Sequence, residues 1–141
     1  MEFDHLSQDS TDRLHALAEA VRSTLRLAGL VVGDTATAEI VHSGVELEID
    51  TGDDAGAGIY LSWCVSAELS DRVGPAFREG RFDDPGVQLF GAANELAQEF
   101  LIRLLRRVGF NAREAHDLAP FSVHIPLGDG GIGQKVDPDM G

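Results

Sequence analysis

Apolar positions recur along this chain with two different periods, and the changes of period mark its elements. From Thr11 to Ala28 the residues Leu14, Leu17, Val21, Leu25 and Ala28 fall at three- and four-residue steps. That spacing predicts an amphipathic helix with one apolar stripe. Ser10 is placed to cap its start, Asp12 suits the positive end of its dipole, and Gly29 suits its stop.

The period then shortens to two. Val45, Leu47 and Ile49 alternate with Glu46, Glu48 and Asp50, the signature of a half-buried strand. Ser43-Gly44 before it suits a tight turn. The resulting hairpin would set His42 against Val45, Ile40 against Leu47 and Ala38 against Ile49 on the inner face. Val41 would then face Glu46, and Glu39 would face Glu48, a like-charge pair that calls for a basic cover or another register. Ile59, Leu61, Trp63, Val65 and Ala67 mark a third strand. Tyr60, Ser62, Cys64 and Ser66 lie on its other side.

Residues 68–85 form a long connection without an obvious period. It hides a short helix near Ser70 to Arg78 or carries function. Asp84-Pro85 then opens a second helix, acid as cap and proline at the first position, running to about Val108. Leu89, Ala93, Leu96, Phe100 and Leu104 form one stripe on it. Phe90, Ala97, Leu101, Leu105 and Val108 widen that stripe, which predicts burial over a broad face. Phe110 to Ala115 suits a short strand. Phe121, Val123, Ile125 and Leu127 alternate as another, which Pro126 confines to a sheet edge or a strand end.

The order α-β-β-β-α-β-β predicts an α+β fold. It has an antiparallel sheet of four or five strands with two main helices on one face. The domain spans 11–127, between a flexible leader at 1–10 and a disordered Gly/Asp/Pro-rich tail at 128–141.

Composition narrows the function classes. A chain of 141 residues holds one core. It has no apolar run long enough to span a bilayer and no basic-then-apolar leader, which makes the cytoplasm the default compartment. Arginine supplies ten of the eleven cations, a high-GC coding pattern that suggests a bacterial source. One cysteine, Cys64, excludes an internal disulfide framework and cysteine-rich zinc modules. The formal net charge of −13 disfavours nucleic acid and anionic membranes as partners. A decoy that mimics nucleic acid with its carboxylates would suit the charge but has no further signature.

No catalytic signature stands out. Gly128, Gly130 and Gly133 match a dinucleotide fingerprint only literally, because eight residues remain and no helix follows. Glu39, Glu46, Glu48 and Asp50, with Asp53 and Asp54, could gather a hard cation, but a flat strand face does not wrap an ion. No cofactor and no metal are expected. Cys64 has no base placed beside it and reads as a passive thiol.

The charges are segregated instead. Between Arg26 and Arg72 there is no cation, while nine acids occur. Arg72, Arg78 and Arg81 then cluster with Phe77 and Phe82 in the 68–85 connection, the composition of interface anchors. The sequence therefore predicts a non-enzymatic protein that binds another protein, one with a basic patch, or itself. The expected surfaces are the acidic sheet face of Glu39, Glu46 and Glu48 and the arginine–phenylalanine connection. The alternative is a small-ligand binder or small enzyme with a pocket between the sheet and the second helix, near His42 and Trp63.

Overall fold

A computed structural model describes residues 7–34, 44–52, 57–115 and 121–127. It shows three helices and five strands in an α+β arrangement: α1 (Gln8–Leu27), β1 (Val32–Asp34), β2 (Gly44–Asp50), β3 (Gly58–Cys64), α2 (Ala67–Arg78), α3 (Pro85–Arg107), β4 (Arg113–Glu114) and β5 (Val123–Pro126).

The strands form one sheet in the order β1-β2-β3-β5-β4. It is mixed rather than wholly antiparallel, because β1 joins β2 in parallel, Val32 level with Val45. The remaining pairs are antiparallel, with Leu47 opposite Leu61 and Leu61 opposite Val123. The expected hairpin partners Ala38, Glu39, Ile40, Val41 and His42 lie outside the described residues. The edge of β2 at Val45–Leu47 that this hairpin would have used is taken by β1.

Alternation fixes what each face of the sheet does. Val32, Val45, Leu47, Ile59, Leu61, Val123 and Ile125 are buried on the inner face. There they meet Leu14, Leu17, Val21 and Leu25 of α1 and Leu101 and Leu105 of α3 in one core. α1 lies over β1, β2 and β3, and α3 lies over β3, β4 and β5. Burial of these branched side chains supplies the main driving force for the fold.

Several local expectations shift by a few residues. α1 starts within the expected leader, and Ser7 rather than Ser10 caps it: the Ser10 amide donates to Ser7 Oγ at 3.1 Å. Ala28 is the exposed C-cap rather than part of the stripe. β3 ends at Cys64, because the Ser66 side chain accepts from the Leu69 amide at 3.2 Å and begins α2 there. Val65 and Ala67 therefore leave the strand. β5 lies between β3 and β4, so Pro126 marks a strand end and not an edge.

α2 and the first half of α3 pack on each other as a helical hairpin. Val73, Ala76 and Val87 form its own small core, with Leu69 and Phe90 against it. The start of α3 is the expected one. Asp84 accepts from the Gly86 amide at 2.8 Å, with Pro85 at the first helical position. Asp84→Ala should cost about 1 kcal/mol by removing that cap. Paired denaturant melts of the two proteins measure the difference.

Candidate functional site

The hairpin joins two helices through a tight, over-determined turn. Glu79 ends α2, and Gly80 takes a φ of 71°, a conformation that glycine adopts without strain. The Arg81 amide reaches back to the Ala76 carbonyl at 2.9 Å, and the Gly80 amide to the Phe77 carbonyl at 3.1 Å. This pair of bonds is the Schellman closure of a helix. The Gln88 side chain then donates to the Phe82 carbonyl at 2.8 Å and ties the turn to α3.

On this frame sit three of the predicted site residues. Phe77 and Phe82 are exposed, with ring centroids 6.1 Å apart. Phe77 also meets the half-buried Phe90 edge to face, with centroids 5.9 Å apart. Phe90 thus anchors the exposed pair to the hairpin core. Arg81 is held locally, with Nε 2.8 Å from Glu79 and Nη1 3.1 Å from Asp84. The hydrogen bond that Arg81 donates to Glu79, and that residue's charge, raise the affinity of Arg81 for its proton against an opposing desolvation, and the charges of Asp84 and Asp83 add to them. Arg81 therefore serves the turn.

Arg72 and Arg78 differ from it. Both are exposed and neither makes an ion pair among the described residues. Arg72 leans over the start of α3, where its Nε would stand 3.3 Å from a methyl group placed on Gly86. These two guanidinium groups are available to a partner's carboxylates.

The acidic strand lies on a different surface. Glu46 and Glu48 point away from the helices, opposite Ser62 and Tyr60 of β3. Asp50 shares that face, and its Oδ1 accepts from the Gly52 amide at 2.9 Å. Ser62 and Ser122 join across the strands at 3.1 Å. Glu39, Asp53 and Asp54 lie outside the described residues. Among the described residues no group of three His, Cys, Asp or Glu side chains could hold a metal ion. The sheet thus separates Glu46 and Glu48 from the arginine–phenylalanine hairpin, and the two expected surfaces are distinct.

Among the described residues the buried imidazole is His124, not one that sequence reasoning selected. It lies on the outer face, stacked on Tyr60 with centroids 4.5 Å apart and rings 13° from parallel. Its Nε2 is 3.3 Å from the Ala57 carbonyl. Trp63 faces the other way, half-buried against the main core. His42 lies outside the described residues. The signal for His124 was its place opposite Tyr60, a pairing visible only once the order of β3 and β5 is known.

Cys64 ends β3 on the outer face. Burial, and secondarily the charge of Glu46, push its thiol up from the ordinary value. Less thiolate is therefore present at neutral pH. Alkylation of Cys64 should reach its half-maximal rate at a higher pH than that of a free thiol. Glu46→Gln should bring that midpoint down, and rates of iodoacetamide modification across pH measure it.

The broad stripe on α3 departs most from expectation. Leu101, Leu105, Val87 and Asn94 are buried, but Leu89, Leu96 and Phe100 are 57%, 61% and 50% exposed. The helix carries two apolar faces, and the sheet and α2 cover only one of them. An open groove of about 390 Å³ runs along the second face, lined by Leu96, Glu99, Phe100, Arg103, Leu104 and Arg107. A second open groove, about 340 Å³, lies between α3 and β4 and includes Glu95, Glu99, Arg103 and Glu114.

No helix among the described residues is long and apolar enough to cross a membrane. Comparison with protein-family models, with curated proteins and with solved structures finds no match for this chain.

Proposed function

We propose that this chain is a non-enzymatic interaction protein of the cytoplasm that docks another protein on the α2–α3 hairpin. The observation that carries this reading is the exposed Phe77–Phe82 pair on a rigid turn, beside Arg72 and Arg78. Aromatic rings held in one conformation lose little entropy on binding, and unpaired guanidinium groups add orientation. The acidic face of Glu46 and Glu48 offers a second surface, suited to a basic patch.

A second reading uses the groove between α3 and β4. Its mixed charges, Glu95, Glu99 and Glu114 with Arg103, suit a small polar ligand. Its openness favours the first reading, because small-molecule sites enclose most of their ligand.

The test is affinity capture from a bacterial lysate at low and moderate salt, with wild-type chain and two variants. One variant carries Phe77→Ala and Phe82→Ala, the other Arg72→Glu and Arg78→Glu. One stoichiometric partner, weakened at least about 10-fold in both variants, is the expected result. Capture that both variants leave unchanged would overturn the assignment to the hairpin. No partner at either salt would turn attention to ligand screening of the groove.

A further inference from the structure

α3 carries an apolar seam, exposed at Leu89, Leu96 and Phe100, that no other element among the described residues covers. Leu89, Ala93, Leu96 and Phe100 follow one another at steps of four, three and four residues, the spacing of a coiled-coil contact line. The seam lies roughly 130° around the helix from the Leu101–Leu105 face that packs on the sheet. It is therefore not the surface that α2 or the strands use.

We infer that this seam pairs with α3 of a second copy, antiparallel across a two-fold axis that passes between Ala93 and Leu96. The inference rests on the reading of the chain as an interaction protein and names one of its partners. In this register Leu89 comes level with Phe100 of the partner copy, and Ala93 with Leu96. The four central layers, from Leu89 to Phe100, are apolar: Leu89 meets Phe100, and the small Ala93 meets Leu96. A two-fold contact uses the same patch twice, so the patch must complement itself, and this one does.

The charges select the direction. The seam continues at its C-terminal end with Arg103 and Arg107, while Asp83 and Asp84 stand at the N-terminal end of the helix. Antiparallel pairing sets Arg103 level with Gly86 of the partner copy and carries Arg107 past its Pro85. Both cations then reach toward the partner copy's Asp83 and Asp84. Parallel pairing would place arginine beside arginine and aspartate beside aspartate. The axis falls near the middle of the 23-residue helix, so nearly all of α3 takes part. The helix dipoles also oppose each other in this arrangement.

The experiment is sedimentation velocity of the full chain from micromolar to several hundred micromolar concentration, with a cysteine cross-linking arm. Wild-type chain should move to twice its 15.1 kDa mass as concentration rises. Leu96→Glu and Phe100→Glu should each weaken the dimer at least about 30-fold. Both residues are half or more exposed, so the variants should keep the wild-type melting curve. In a Cys64→Ser background, a mixture of Leu89→Cys and Phe100→Cys chains should oxidise to the mixed dimer faster than either chain forms its own. A wild-type chain that stays monomeric overturns the inference. So does a dimer that survives both glutamate variants, or cross-linking that favours Leu89→Cys with itself. A monomer that still captures a lysate partner through Phe77 and Phe82 would sink the dimer alone and leave the hairpin reading intact.

Discussion

Gly58→Ala should destabilise the domain by about 3 kcal/mol, although it adds a single methyl group. Gly58 opens β3 with a φ of 148°, a conformation side chains avoid. A Cβ there would run into the Ile125 carbonyl and come 2.9 Å from His124 Nε2 and 3.0 Å from the Pro126 Cα. Two of these obstacles are backbone atoms of the neighbouring strand, which cannot turn aside as a side chain can. β3 and β5 would have to separate where Gly58 pairs with Pro126. The stacked Tyr60–His124 pair lies one step further along the outer face, so the same change should disturb it. Thermal melts give the loss of stability, and the imidazole proton signals of His124 report the local shift. Wild-type stability in the alanine variant would show that β3 and β5 do not approach as closely as described.

Leu61→Ala should cost about 3 kcal/mol and lower the melting temperature by about 10 °C. Leu61 is fully buried at the centre of the sheet, between Leu47 of β2 and Val123 of β5. It belongs to the core in which α1 and α3 meet the sheet. Removing its branched end leaves a cavity between paired strands, where collapse is limited. By contrast, Leu96→Ala on the exposed face of α3 should change the stability of the monomer little. The contrast between these two leucines separates side chains that hold the fold from side chains left for a partner.

Much of this architecture was legible in the residues. The alternation from Val45 to Asp50 marked β2, and Asp84-Pro85 marked the start of α3, because each signal is local and unopposed. Other signals were opposed. Val65 and Ala67 continued the alternation of β3, but Ser66 could also cap a helix, and the cap prevailed. Ser10 suits the start of α1 by its type, but the helix begins three residues earlier, where Ser7 caps it, and only the fold shows this. β1 spans three residues, too few to show a period, and it exists because β2 offers it an edge.

The candidate site was legible in composition and not in placement. Phe77, Phe82, Arg72 and Arg78 stood out as an aromatic and cationic cluster, and the structure sets them on or beside one rigid hairpin. Arg81 stood out equally, yet Glu79 and Asp84 engage it. The exposure of Leu89, Leu96 and Phe100 could not be read at all. A stripe on a helix shows that something should cover it, and only the packing of α3 shows that nothing in its own sheet does.

We propose the α2–α3 hairpin, and not the acidic strand face of Glu46 and Glu48, as the main docking surface. Photo-cross-linking in living cells of the source organism decides between them, with a photoreactive residue placed at Phe82 in one protein and at Glu48 in another. Position 82 should give a discrete cross-linked species that a Phe77→Ala change weakens. Cross-linking from position 48 alone, with position 82 silent, would contradict it and move the docking surface to the acidic strand face.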